Sequence, residues 1–229
     1  MATQLDLQEQ EQLEDIKHFW KQYGNLITWT LVLALGGFAA WQGWNWWQRE
    51  QSLKASAMYD ELERVADAGD AARAAQVFAE LKERYPRTAF AEQGGLLAAK
   101  VQFDKGQADN ARAALGWVAE HAIEGEYKTV ARLRLAGLLL DAKQYDEALK
   151  QLDAAKDDKA FEGLVADRRG DVLLAQGKKD DARAAYQAAY KALEPTLDYR
   201  RVVEAKLTAL GAAPEPAVAA SAASAGVPK

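Results

Sequence analysis

The sequence predicts an all-α protein: a single N-terminal transmembrane helix, then an α-solenoid of about four helix pairs and a terminal helix. Three observations support this fold class. Residues 22–48 contain no charged side chain. An eleven-residue pattern recurs farther along the chain at intervals of 37 and 34 residues. Within each copy, small and large apolar residues follow the spacing that places them on one face of a helix.

The charge-free stretch is long enough to cross a bilayer, because about 20 helical residues span a hydrocarbon core of roughly 30 Å. Its most apolar part is residues 26–41. Aromatic residues lie at both ends of this part, as amphipathic rings do at the two interfaces of a membrane. We expect the anchor to be held by Trp20, Tyr23, Trp41, Trp44, Trp46 and Trp47.

The residues before this stretch indicate an anchor that stays uncleaved. A signal peptide needs a basic region directly before its apolar run, whereas residues 6–15 contain five carboxylates and no basic residue. Lys17 and Lys21 on one side are balanced by Arg49 and Lys54 on the other, so the positive charges leave the orientation open. We predict an acidic N-terminal segment at 1–22 and a transmembrane helix at 23–48.

The recurring pattern occupies residues 105–115, 142–152 and 176–186, which align without gaps. A weaker copy lies upstream and places Ala74 another 37 residues before Ala111. A period of 34 residues is that of the tetratricopeptide repeat, which consists of a helix, a turn and a second helix. The sequence therefore predicts stacked helix pairs.

Each of the three aligned copies has a small residue in its second helix and another twelve residues earlier, where the two helices of a pair should touch. These small residues are Ala99, Ala111, Ala136, Ala148, Gly170 and Ala182. A large apolar residue follows the second-helix alanine by four positions, on the same helix face: Phe78, Leu115, Leu152 and Tyr186. One repeat cannot bury its apolar face alone, so the copies must stack.

We predict helix pairs at about 51–85, 88–121, 125–156 and 160–192 and a last helix at 196–210, within a repeat domain at 49–210. The remaining residues, 211–229, are rich in Ala, Pro and Ser and show no apolar periodicity. Such a composition is typical of a disordered tail.

Composition argues against several function classes. The chain has no Cys, only two His and a net charge of -5. It offers no thiol chemistry and no phosphate-binding loop, and its few Ser and His residues do not supply a set of nucleophile, base and orienting group. A nucleic-acid surface would need an excess of Lys and Arg. We predict no enzyme activity, no cofactor, no metal and no nucleic-acid binding.

The anchor, the repeats and the string VADRRGDVLLAQGKKDDARAAY at 165–186 together resemble the YfgM family. Its members are bacterial inner-membrane proteins with a periplasmic tetratricopeptide-like domain, and they are ancillary subunits of the SecYEG translocon. The resemblance runs to about Leu210. It implies a cytoplasmic N-terminus and a periplasmic C-terminal domain. It also implies SecYEG and the periplasmic chaperone PpiD as partners.

We therefore expect a membrane-anchored periplasmic scaffold or chaperone-like accessory that binds unfolded or translocating polypeptides at the translocation channel. The alternative is a repeat adaptor for another envelope process, such as cell division or outer-membrane assembly. Pull-down after cross-linking in the native membrane would distinguish the two.

The register also predicts a binding groove, because the first helices of successive tetratricopeptide pairs line a concave surface. The positions three before and four after each first-helix small residue should face it: Leu96, Phe103, Leu133, Leu140, Asp167 and Leu174. Five of these six are apolar, and the Lys and Asn of carboxylate-clamp relatives are missing there. The groove should therefore prefer apolar segments. Alternatively, Phe103, Leu140 and Leu174 belong to the core or are covered by the last helix.

Overall fold

The computed structural model describes residues 7–213 of the chain. Residues 1–6 of the predicted acidic segment and residues 214–229 of the predicted tail lie outside the described residues. The all-α prediction is confirmed, because the regular structure between residues 7 and 213 consists of helices, with no strand. Contacts divide the chain into two compact units, Met1–Leu53 and Lys54–Lys229.

The first unit is built on helix α1 (Leu7–Asp67), whose C-terminal part continues into the second unit. Within the described residues, one helix is long and apolar enough to cross a membrane, and it lies in this region. The hydroxyl groups of Thr28 and Thr30 donate hydrogen bonds to the carbonyl oxygens of Gly24 and Leu26, at 2.7 and 2.8 Å. These bonds matter because a hydroxyl without a partner is costly in hydrocarbon.

The second unit contains the predicted helix pairs. After α1, the chain forms α2 (Ala71–Arg84), which corresponds to the second helix of a repeat pair. Two complete pairs follow. In each of them a first helix precedes a second helix: α3 (Ala89–Asp104) with α4 (Ala108–His121), and α5 (Gly125–Asp141) with α6 (Tyr145–Asp153). A 3₁₀ turn (Lys159–Phe161) precedes the last pair, α7 (Glu162–Ala175) with α8 (Lys179–Ala192), and helix α9 (Tyr199–Ala209) follows. From α2 onward each α-helix packs on the next, and first helix α5 also packs on first helices α3 and α7.

One turn geometry ends every first helix. Gly69, Gly106, Lys143 and Gly177 occupy the same register position and all have a positive φ, between 60° and 79°. After α3, for example, the Gly106 N–H donates to the Phe103 carbonyl and the next N–H donates to the Gln102 carbonyl. This pair of bonds is the Schellman motif, which satisfies the last carbonyls of a helix. It repeats after α1, α5 and α7.

Helix α9 ends in the same way. Gly211 has a φ of 70°, its N–H donates to the Thr208 carbonyl, and the Ala212 N–H donates to the Leu207 carbonyl. Val203 and Leu207 of α9 are buried with Ala182, Tyr186 and Ala189 of α8. Helix α9 therefore closes the apolar end of the last pair, as a solenoid requires.

Candidate functional site

A cleft of about 320 Å³ lies on the first helices α3, α5 and α7. Residues from all three helices reach it, because α5 lies between α3 and α7 and packs on both. The lining residues are Ala99, Lys100, Phe103, Leu115, Leu133, Arg134, Gly137, Leu138, Asp141 and Arg168. The cleft thus lies on the first helices of three successive pairs.

The floor of the cleft is apolar. Phe103 is 47% exposed although it is a large hydrophobic side chain. Leu133 and Leu138 are half-buried beside it, and Leu115 and Ala99 lie buried beneath. An exposed aromatic ring over a packed apolar base is typical of binding sites for apolar side chains.

The rim of the cleft is mainly basic. The Lys100 ammonium pairs with Asp104 at 2.7 Å. The Arg134 side chain is exposed, and its Nη1 donates to the Leu96 carbonyl at a long 3.5 Å. The Arg168 guanidinium lies over Gly137, where a Cβ atom would stand 3.9 Å from its Cζ and Nη1 atoms. Asp141 is the carboxylate among the lining residues.

The structure brings two of the six predicted groove residues, Phe103 and Leu133, into the cleft. Leu140 is half-buried and packs against the main core cluster. Leu174 is 37% exposed on α7 but is not among the residues lining the cleft. Leu96 and Asp167 are buried, at 9% and 1% exposure, so these two side chains do not lie on an open groove.

Asp167 is buried because the terminal helix covers it. Its carboxylate accepts hydrogen bonds from the Tyr199 hydroxyl at 2.7 Å and from the Lys206 ammonium at 2.8 Å, both on α9. Lys206 also donates to Asp171 at 2.7 Å, and Asp171 accepts a bond from the Tyr186 hydroxyl at 2.8 Å. The repeat pattern did not predict that α9 covers this position.

Burial raises the pKa of both tyrosines in this network, Tyr186 and Tyr199, well above the ordinary value. Their hydrogen bonds to carboxylates act in the same direction, because a phenolate could not donate them. The network joins helices α7, α8 and α9 through charged and hydroxyl groups. The role of this network is therefore structural: it holds these three helices together.

The six predicted repeat-packing residues are all buried: Ala99, Ala111, Ala136, Ala148, Gly170 and Ala182. The large apolar residues of the pattern (Phe78, Leu115, Leu152 and Tyr186) are buried with them. Gly170 has the tightest surroundings of the six. A Cβ atom there would stand 2.4 Å from Cε1 of Tyr186.

The predicted anchor residues of the first unit are exposed, as side chains facing lipid would be: Trp20, Tyr23, Trp41, Trp44, Trp46 and Trp47. Rings one turn apart contact each other, as in the pairs Phe19–Tyr23 and Trp44–Trp47.

Among residues 7–213, no three His, Cys, Asp or Glu side chains come together so that they could hold a metal ion.

Sequence reasoning missed the cations of the cleft. Arg134 and Arg168 each stand two residues before the first-helix small residue of their repeat, and Lys100 stands one residue after its own. The signal was present in the register, since the two arginines lie 34 residues apart at equivalent positions. The predicted set followed only the positions three before and four after the small residue.

Several known proteins that share one name are similar to this chain. A model of the tetratricopeptide repeat-like domain matches residues 17–212. The ancillary SecYEG translocon subunit of Neisseria gonorrhoeae (strain ATCC 700825 / FA 1090) is 30% identical over 207 residues, which are 89% of this chain and 98% of that protein. The protein of the same name from Escherichia coli (strain K12) is 33% identical over 186 residues, 80% of this chain and 87% of that protein. The Haemophilus influenzae protein of that name is 27% identical over 183 residues.

Proposed function

This chain belongs to the YfgM family of ancillary SecYEG translocon subunits, and from that membership we propose that it is an accessory protein of the translocon that holds partner polypeptides. The relatives' names support the place of action, and the cleft on α3, α5 and α7 supports the mode of action. We propose a binding role without catalysis.

The cleft is the observation that carries this proposal. It combines an exposed aromatic ring, Phe103, with half-buried leucines on a rigid base of packed helices. A polypeptide segment could place one or two apolar side chains there without any rearrangement of the repeats. Such a site suits an accessory protein that holds a chain during or after its passage through the channel.

We further propose a single-pass inner-membrane protein with its repeat domain in the periplasm and with PpiD among its partners. The apolar helix near the N-terminus and the translocon-associated relatives fit a single-pass protein of the inner membrane. The side of the membrane and the PpiD partnership come from the family resemblance.

Site-specific photo-cross-linking in native membranes tests the proposed function. A photoreactive phenylalanine analogue replaces Phe103 or Leu133 in the cleft, and the control position is Ala113, which is exposed on second helix α4. We expect SecYEG components and translocating chains to be recovered from the cleft positions and not from Ala113. Recovery of cell-division or outer-membrane-assembly proteins instead would support the repeat-adaptor alternative.

Protease accessibility tests the orientation. Protease added to intact spheroplasts should digest residues beyond about Gln48 and leave the first twenty or so residues protected. A protected repeat domain would place it in the cytoplasm and remove the support for periplasmic partners. Alkaline extraction should leave the chain in the membrane, because residues 26–41 are too apolar to leave lipid.

A further inference from the structure

We propose that the cleft on α3, α5 and α7 selects an internal polypeptide segment in which Asp or Glu side chains lie next to bulky apolar residues. This inference rests on the proposed function and adds a partner chemistry to it. The apolar floor alone would accept any hydrophobic segment. The charges on the rim decide among such segments.

The lining residues carry three cations, Lys100, Arg134 and Arg168, against one carboxylate, Asp141. Lys100 is neutralised by Asp104. Arg134 forms no ion pair within 4 Å in the part of the chain that the structure describes, and its one hydrogen bond, to the Leu96 carbonyl, is long. The positive excess therefore rests on the two arginines.

Arg168 has a carboxylate nearby, but that carboxylate has stronger partners. The Arg168–Asp171 separation is 3.4 Å, whereas Asp171 receives the Lys206 ammonium at 2.7 Å and the Tyr186 hydroxyl at 2.8 Å. The guanidinium lies over Gly137, which has no side chain to cover it on the cleft side. Arg168 can therefore donate to a ligand without first breaking a short ion pair.

Arg134 and Arg168 point to carboxylate side chains rather than to a chain terminus. They occupy the same register position on successive first helices, so they offer two anion positions along one cleft. A single terminal carboxylate could fill one of them. Guanidinium groups bind carboxylates through two parallel hydrogen bonds, and the apolar floor beside them lowers the local polarity and strengthens those bonds.

Direct binding to the full-length protein in detergent micelles tests this inference. The probes are fluorescein-labelled peptides of about ten residues with blocked ends, in which Leu alternates with Asp, Asn or Lys. By fluorescence anisotropy we expect the Asp peptide to bind at least about tenfold tighter than the Asn peptide and to lose this advantage in high salt, as charge-assisted bonds do. The Lys peptide should bind most weakly.

Charge reversal at both arginines, Arg134→Glu with Arg168→Glu, should reverse the preference so that the Lys peptide binds tightest. The matched control is Arg64→Glu with Arg201→Glu, which changes the same charge at two highly exposed positions outside the cleft. If the reversed protein melts early, Arg134→Gln with Arg168→Gln replaces it, and the Asp preference should then disappear without reversing.

Each contrary outcome has a distinct meaning. Equal affinity for the Asp and Asn peptides would overturn the acidic selectivity and leave a cleft that binds apolar segments. A Leu–Asn peptide with a free C-terminal carboxylate that binds as tightly as the Asp peptide would overturn the choice of an internal segment. Failure of all the peptides to bind would remove both this inference and the cleft as the site of the proposed function.

Discussion

The ring of Tyr186 packs directly against the backbone of Gly170. A Cβ atom at Gly170 would stand 2.4 Å from Cε1 and 2.5 Å from Cδ1 of this ring, closer than non-bonded carbon atoms approach. In the two preceding repeats the equivalent pairs are Ala with Leu, at Ala99 with Leu115 and Ala136 with Leu152. The last repeat thus combines a larger ring with a smaller partner, so the helix pair stays closely packed.

This relationship predicts that Gly170→Ala destabilises the protein, because the cost of adding volume to a packed interior, roughly 1–3 kcal/mol, outweighs the gain of about 1 kcal/mol that Ala brings to a helix. The matched control is Gly137→Ala, where the new methyl group would meet only the Arg168 guanidinium at 3.9 Å. Because Ala favours a helix over Gly by about 1 kcal/mol, the control should be neutral or stabilising. Urea unfolding of both variants checks this, and equal midpoints would contradict it.

The second prediction concerns the bond between Lys206 and Asp167. Lys206→Met removes the cation from a carboxylate that is 1% exposed, and an uncompensated buried charge costs about 3–5 kcal/mol. The matched control on the same helix is Arg201→Met, whose ion pair with Asp198 is almost fully exposed and should contribute about 0.5 kcal/mol or less.

Hydrogen exchange locates the effect of Lys206→Met. The amides of α9 (Tyr199–Ala209) should lose protection before those of α5, because Lys206 joins α9 to α7. If all helices lose protection equally, Lys206 stabilises the domain as a whole and does not hold α9 in particular.

The repeat architecture could be predicted from the sequence because its determinants are local and periodic. A small residue at Ala99 and another at Ala111 fix how two consecutive helices approach, and the same spacing returns in later repeats. Gly106 and Gly177 mark the turns for an equally local reason, since their positive φ is strained for other residues. Helix pairs therefore follow from short-range patterns.

The structure of the cleft could not be predicted as completely. The burial of Asp167 depends on Tyr199 and Lys206, which lie 32 and 39 residues away in a helix outside the repeat pattern. Whether a first-helix position is open depends on what packs across it, and periodicity does not carry that information. The first repeat helix, predicted to begin at about residue 51, has no separate start in the structure, where α1 is continuous from Leu7 to Asp67. No Gly or Pro occurs between Trp44 and Asp67 to end the preceding helix.

The third prediction concerns Lys143, the single non-glycine residue with a positive φ among residues 7–213. A φ of 60° costs a residue with a Cβ atom about 1 kcal/mol, which glycine avoids. Glycine loses more chain entropy on folding, so Lys143→Gly should stabilise by a net value of about 0.5 kcal/mol. Thermal unfolding measures the gain.

The reverse change at the equivalent turn, Gly106→Lys, is the control for Lys143→Gly. No atom lies within 4 Å of a Cβ at Gly106, so only the backbone conformation opposes the new side chain. Since this is the opposite change at an equivalent position, a net loss of about 0.5 kcal/mol is expected. If both substitutions lower the melting temperature, the φ at this register position does not govern the stability of the turn.

The fourth prediction is a pH dependence that arises from Glu92. Its carboxylate is buried, with Oε1 accepting from the Ile123 N–H at 2.7 Å and Oε2 without a partner. Burial raises its pKa above the usual value, and the opposing bond from the Ile123 N–H group is weaker in effect. The folded state therefore binds the proton more tightly than the unfolded state does.

The sign follows from proton linkage. Where the folded state holds more protons, the free energy of unfolding falls as pH rises, from the ordinary Glu pKa of 4.5 up to the raised one. Glu92→Gln abolishes this contribution, so its stability relative to the wild type should improve as pH rises through that window. Urea unfolding of both proteins at several pH values tests this, and a constant difference would show that Glu92 does not titrate in this way.

The last prediction separates the binding role of the cleft from a structural one. Phe103 is 47% exposed, so Phe103→Ser removes mainly solvent-facing surface and should cost about 1 kcal/mol or less. Leu140, at the equivalent position of the next repeat, packs against the core, so Leu140→Ser should cost about 2 kcal/mol or more because it also buries a hydroxyl. The melting temperature and the yield of partner cross-linking from Leu133 are measured together for both variants.

If Phe103→Ser abolishes cross-linking at near-constant stability, the loss must come from the binding surface, because the fold that presents it is unchanged. A fall of several kcal/mol on Phe103→Ser would instead identify the ring as part of the core, and the binding face would have to be sought elsewhere on the repeats.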